Sequence, residues 1–245
     1  MKKLKVIDLC CGAGGFSEGF RQSGFEIILG VDIWGDALES FRRNQKCDVL
    51  EIDITTLNYL PKCDVLIGSP PCQSFSIQKY AKKDNKKPDV SIFGKFNDLL
   101  EICNAKFWVW ENTPLAVKHV DLPYNILNAC DYGVKQRRKR VFFGNYPLPE
   151  KQPISETIVP TIVAWELCGG WKTANGRRFS QWLNRKPTLD EMKCYMGFPE
   201  DYEIFGNKHN SSLQIGNAVC PPVSRAIAEE IKHEYDMAET SARPK

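Results

Sequence analysis

Short, almost continuously apolar runs recur along this chain, with helix-like segments between them. Residues 3–11 read KLKVIDLCC, 25–33 FEIILGVDI, 47–54 CDVLEIDI, 63–71 CDVLIGSPP, 107–112 FWVWEN and 140–146 RVFFGNY. Runs of this length, apolar on neighbouring rather than alternate residues, suit strands buried on both faces. Between them FSEGFRQSG (16–24), WGDALESFRRN (34–44) and FNDLLEICNA (96–105) predict helices, with Gly24 as a stop. Strands alternating with helices predict a parallel sheet covered on both faces. Ligands of such sheets lie beyond the carboxyl ends of the strands. Glycines 12–15, Asp32, Asp53, Cys72 and Glu111 all fall at or just after the ends of predicted strands, so the pattern gathers them on one rim.

A chain of 245 residues suits one α/β domain with a small appendage, or two small domains. The net charge of +3 is too mild to identify a nucleic-acid partner. None of the ten cysteines forms a C-x-x-C pair, so zinc ribbons and thioredoxin-like sites lack support. His119, His209 and His233 are scattered, and no metal site is expected. The opening MKKLKVIDL does not read as a secretory signal, and no run reaches membrane-spanning length. A cytoplasmic protein with reduced cysteines is the expectation. After Tyr146 the chain turns proline-rich, then carries Trp165, Trp171 and Trp182 among glycines and basic residues, which reads as a separate small segment. Those tryptophans suit either base stacking or a small lobe's core. The last segment, 221–239, predicts a helix that opens on prolines and buries Val223, Ile227 and Ile231.

Four stretches carry candidate chemistry. DLCCGAGGFS (8–17) sets a glycine turn between a strand and a helix, without the spacing of a dinucleotide or P-loop motif. With Asp32 to accept from ribose hydroxyls and Asp53 to accept from an exocyclic amine, it fits an adenosyl ligand lacking pyrophosphate; a tight structural turn is the alternative. Cys10 and Cys11 read as core packing. GSPPCQSFS (68–76) holds Cys72 behind two prolines that fix the backbone, which suits a nucleophile or a buried structural thiol. Glu111 ends an apolar strand, either as a terminator or as a general acid with a raised pKa. In YGVKQRRKRVFFG (132–144), period two places Gln136, Arg138 and Arg140 on one face and Arg137 and Lys139 on the other. That run is either a solvated edge or an electrophilic patch holding a base or phosphate.

Together with QIGNAVCPP (214–222) and RKPTLDEMKCYMGFPEDY (185–202), these blocks occur in the order of the cytosine-5 DNA methyltransferase family, which the chain resembles from residue 4 to about 235. The resemblance implies an α/β, Rossmann-like, S-adenosylmethionine-dependent methyltransferase sheet of seven strands with a small target-recognition lobe. The implied division is 1–146 plus 203–245 for the catalytic domain and 147–202 for the lobe. It implies that Cys72 attacks C6 of a cytosine flipped out of double-stranded DNA. Glu111 then bonds N3 and the exocyclic amine, Arg138 contacts O2, and Arg140 joins them in the catalytic set. Thiolate addition at C6 makes C5 carbanion-like, which splits one hard step into easier ones. For S-adenosylmethionine the resemblance implicates Gly12, Gly14, Phe16, Asp32, Ile33, Asp53, Ile54 and Asn217. Phe16 and Ile33 would sandwich adenine, and Asn217 would close the methionine end. The last helix is expected to return to the side of the first strand.

Gln73, Ser76 and Gln136 are implied contacts to nucleic acid. So are Lys79, Lys82 and Lys83 of a lysine-rich lid, whose charges suit backbone phosphates. A cognate restriction endonuclease or a helper subunit is the further partner such enzymes bring in. The chain departs from the family in its short stretch between the arginine block and residue 185, and in Thr113 where valine is usual. Two alternatives stay beside this reading: a tRNA cytosine-5 methyltransferase, against which the absent Cys-Phe-Thr tripeptide argues, and an inactive DNA-binding regulator, against which intact Cys72, Glu111 and Arg138 argue.

Overall fold

The computed structural model describes residues 3–71, 91–153, 158–164, 167 and 179–241. Seven strands form one sheet in the order β3-β2-β1-β4-β5-β7-β6. They are β1 Lys5–Leu9, β2 Glu26–Asp32, β3 Asp48–Glu51, β4 Val65–Gly68, β5 Phe107–Asn112, β6 Tyr124–Asn128 and β7 Lys139–Gly144. Strands β3, β2, β1, β4 and β5 pair in parallel. The expected all-parallel sheet is corrected at one end, where β7 runs antiparallel to both β5 and β6. Strand β6 went unread in the sequence because it is an edge strand with exposed Tyr124 and Ile126, so no continuous apolar run marks it.

Helices α1 Gly15–Gln22, α2 Gly35–Gln45, α3 Ser91–Cys103, α4 Phe179–Leu183, α5 Leu189–Met196, α6 Lys208–Asn217 and α7 Pro221–Ser241 complete the framework. Side chains alternate across each strand, and the core divides accordingly. Val6, Val65, Ile67, Phe107, Val109 and Phe142 point to one face with Phe16, Phe20, Ile227 and Ile231. Ile7, Leu9, Leu66, Trp110 and Phe143 point to the other with Phe93, Phe96 and Leu99 of α3. Helix α7 lies on α1, as expected of the last helix. Gly19 makes this contact possible, since a Cβ there would collide with Ser224 and Pro221.

Several described residues between 147 and 202 pack in the same core as the sheet. Val159 exchanges backbone bonds with Lys135 and Arg137, and Val159 and Ile162 are buried in the main core. Helix α5 opens on a capping box between Thr188 and Glu191 and stops at Gly197, whose φ is 79°. Beyond that stop, Phe198 and Tyr202 are buried with Met192 and Met196 in the same core as Phe16. No helix among the described residues is long and apolar enough to cross a membrane.

Candidate active site

Register builds the rim. Leu9 pairs with Val31 and Gly68, Gly68 with Trp110, and Asp32 with Glu51. The residues that follow in the parallel strands therefore leave the sheet along one edge. Cys10, Gly12 and Gly14 then take left-handed backbone, with φ of 53°, 53° and 88°, and fold the chain sharply into α1. The Asp32 carboxylate holds this turn. It accepts from the N–H of Gly12 at 2.8 Å, of Ile33 at 2.8 Å and of Trp34 at 3.0 Å. Burial pushes the Asp32 carboxyl up, and those three N–H groups oppose the shift.

The two expected ligand glycines differ. Among the described residues a Cβ built on Gly12 would meet nothing within 4 Å, whereas one on Gly14 would lie 2.8 Å from the Tyr202 hydroxyl and 2.9 Å from the Phe41 ring. Gly12 thus faces open space, and Gly14 is glycine because the interior closes over it. Phe16, implied as one side of the adenine sandwich, is 2% exposed and packs edge-on against Phe20 and Phe142, whereas Ile33 is exposed. Ile54 is buried among Leu57, Leu60 and Phe93 and acts in packing. Asp53 is exposed and accepts from the N–H and hydroxyl of Thr55, which hold its carboxyl below the usual range. Asn217 ends α6 with its side chain exposed. Cys10, passed over as packing, is only half-buried. Burial and the charges of Asp32, Asp8 and Asp53 hold its thiol neutral. Its left-handed backbone at a strand end could not be read from residue type.

The second part of the rim is acidic and basic at once. Glu111 shares its face of β5 with Phe107 and Val109 and is 6% exposed. Because β7 runs antiparallel, its first turn-side residues reach the same edge, and Arg140 Nε lies 2.9 Å from Glu111 Oε1. Burial raises the Glu111 carboxyl above its ordinary value, while Arg140 and Arg138 pull it back. A carboxyl so placed can hold a proton for a ring nitrogen, and the guanidinium beside it can face a carbonyl oxygen.

Alternation along 134–140 follows the expected period, but the three inward residues do different work. Arg138 is 2% exposed and donates to the carbonyls of Ile162 at 2.9 Å, Gly216 at 2.9 Å and Ala218 at 3.0 Å. It ties three chain segments together, and Arg140 is the arginine that meets Glu111. Gln136 is fully buried, donating to the Tyr195 carbonyl at 2.7 Å and accepting from the Ile162 N–H at 3.0 Å. The residue implied as a nucleic-acid contact thus has its side-chain bonds inside the protein. A pocket beside the arginines is lined by Leu127, Phe142, Val219 and Cys220.

Asn112 was also missed. It is fully buried, donates to the Pro70 carbonyl at 3.1 Å and accepts from the Thr113 N–H at 2.8 Å. The end of β5 thereby fixes the Pro70–Pro71 turn. Cys72, Gln73, Ser76, Lys79, Lys82 and Lys83 lie outside the described residues, as do Trp165 and Trp171. Trp182 is 45% exposed and meets Tyr195 edge-on. Among the described residues no cluster of His, Cys, Asp or Glu could hold a metal.

With this geometry in view, comparison with known proteins is consistent in direction. The profile of the C-5 cytosine-specific DNA methylases matches residues 4–163 and 150–233. The Type II methyltransferase M.DdeI of Desulfomicrobium norvegicum is 35% identical over 184 residues, covering 64% of this chain and 43% of that protein. The Type II methyltransferase M1.HphI of Haemophilus parahaemolyticus is 27% identical, covering 93% of this chain and 86% of that one. Among solved structures, a proposed DNA modification methyltransferase from an E. coli prophage superimposes with a TM-score of 0.69 at 19% identity, covering 96% of this chain and 100% of that one. That likeness bears on the fold, a methyltransferase sheet of seven strands. The chain belongs to the C-5 cytosine-specific DNA methylase family.

Proposed function

We propose that this chain methylates C5 of cytosine in DNA, with Cys72 as the nucleophile that adds to C6. The observation that carries this reading is the Glu111–Arg140 pair, 2.9 Å apart on the rim, one strand away from the Pro70–Pro71 turn that Asn112 fixes. Glu111 supplies a proton at N3 and holds the exocyclic amine. Arg140, in place of Arg138, faces O2 and balances the charge that gathers on the ring as the thiolate adds. Once C5 carries the methyl group, loss of its proton expels the Cys72 thiolate from C6, and N3 returns its proton to Glu111. The target carbon is unreachable inside a duplex, so the base must leave the stack.

S-adenosylmethionine, when bound, supplies an electrophilic methyl group. The open side of Gly12, the Asp32 carboxylate and exposed Ile33 and Asp53 fit its adenosine, with Cys10 rather than Phe16 at the turn. Asn217 stands at the methionine end. Lysines 79, 82 and 83, with Gln73 and Ser76, contact the DNA backbone in this reading. The target-reading lobe is narrower than 147–202 and falls within about 164–187, because the flanking residues sit in the main core. A Type II setting pairs the enzyme with a restriction endonuclease of the same site, in the cytoplasm.

Bisulfite sequencing of DNA from cells expressing the chain tests the assignment, with Cys72→Ser as control. Methylcytosine at a repeated short site, absent with the variant, is the expected result. Methyl transfer to tRNA in place of DNA, or equal methylation by the variant, would overturn it.

A further inference from the structure

The glycine turn is pinned from two sides, and only one of them is the Asp32 carboxylate. On the other side the Tyr202 hydroxyl donates to the Ala13 carbonyl at 2.6 Å and accepts from Gln45 Nε2 at 3.2 Å. Gln45 also donates to Glu18 Oε2 at 3.2 Å, and Glu18 in turn receives Arg21 and Gln22. All four central groups are buried: Tyr202 is 3% exposed, Ala13 3%, Gln45 7% and Glu18 0%. The Tyr202 ring is fixed by Phe198, with centroids 4.8 Å apart. Its hydroxyl occupies the space that any side chain at position 14 would need.

The consequence concerns the peptide between Ala13 and Gly14. Its carbonyl is held inward by Tyr202 and the Gly12 N–H is held by Asp32 at 2.8 Å, and these two bonds favour the conformation in which the unobstructed side of Gly12 faces outward. We propose that Tyr202 is a positioning residue for methyl-donor binding, acting through the Ala13 carbonyl from a chain segment 189 residues away. The inference rests on the reading of the turn as the donor site. Tyr202 touches no reacting atom; it raises the fraction of molecules whose turn is ready to bind, and apparent affinity scales with that fraction.

Calorimetric titration of the full chain with S-adenosylhomocysteine, needing no methyl acceptor, tests this with Tyr202→Phe. The variant keeps the ring against Phe198 and strands one buried carbonyl. The expected result is an affinity about tenfold weaker, a matching rise in KM for the donor, and kcat at saturating donor and DNA affinity without donor both within about twofold. Unchanged affinity in the folded variant overturns the proposal, and so does a parallel loss of donor and DNA binding. If Tyr202→Phe does not fold, Gln45→Met removes the donor to the same hydroxyl. Weakening of about threefold or more then supports the proposal, and none overturns it. Failure of the unaltered chain to bind S-adenosylhomocysteine would sink the functional reading itself, which separates the two failures.

Discussion

Two arginines two residues apart divide structure from chemistry. Arg138 serves three carbonyls from inside the protein, so Arg138→Met strands two buried acceptors and one partly buried one. It should lower unfolding free energy by about 3 kcal/mol or more in urea titration. Arg140→Ala leaves those carbonyls alone. It should cost about 100-fold in methyl transfer with little change in the urea midpoint. The reverse pattern would return the base contact to Arg138. Asp8 gives the residue scale a pH signature. It is fully buried under Ser17, which donates to it at 2.7 Å, and burial pushes its carboxyl up to about 7. Between about pH 4 and 7 the folded chain holds a proton that the unfolded chain has released. Stability therefore falls as pH rises through that window. Asp8→Asn should flatten the fall, and an unchanged slope in pH-resolved denaturation would contradict the assignment.

At the scale of elements, turns matter more than the strands they join. Gly12→Ala meets no atom of the described residues within 4 Å and bears the strain of φ 53°, so it should fold and yet bind S-adenosylhomocysteine weakly, because its methyl group enters the ligand side. Gly14→Ala collides with Tyr202 and Phe41 and should lower the melting temperature as well as donor affinity. Calorimetry and thermal melts on the two variants separate these cases. Asn112→Ala frees the Pro70 carbonyl at the strand end that precedes Cys72. It should lower kcat by about tenfold or more while leaving S-adenosylhomocysteine affinity unchanged, since misplacement of a nucleophile acts on the chemical step. Equal loss of both would mean that Asn112 only supports the fold.

For the whole molecule, the sequence was most legible where one strand or helix decides the outcome. The apolar run 107–112 coincides with β5, and Val223, Ile227 and Ile231 are the buried stripe of α7. Gly12, Asp32, Asp53 and Glu111, among the described residues, lie at or just after the ends of parallel strands. Less legible were features decided by partners far along the chain. Period two puts Arg138 and Arg140 on one face, but only the antiparallel course of β7 and the arrival of residues 162 and 216–218 decide which one meets Glu111. Gly12 and Gly14 look alike until Tyr202 and Phe41 close over one of them. Composition changes at Tyr146 while burial does not: Val159 and Ile162 remain core residues. The proposed methyl transfer turns on a thiol adding to a pyrimidine ring. Incubating the chain with S-adenosylmethionine and duplex DNA carrying 5-fluorocytosine at the methylated position tests this most directly. The prediction is a denaturant-resistant one-to-one adduct, retaining the transferred methyl group, that peptide mass spectrometry places on Cys72. Methylation of ordinary DNA without any such adduct, or an adduct that persists in Cys72→Ser, would contradict it.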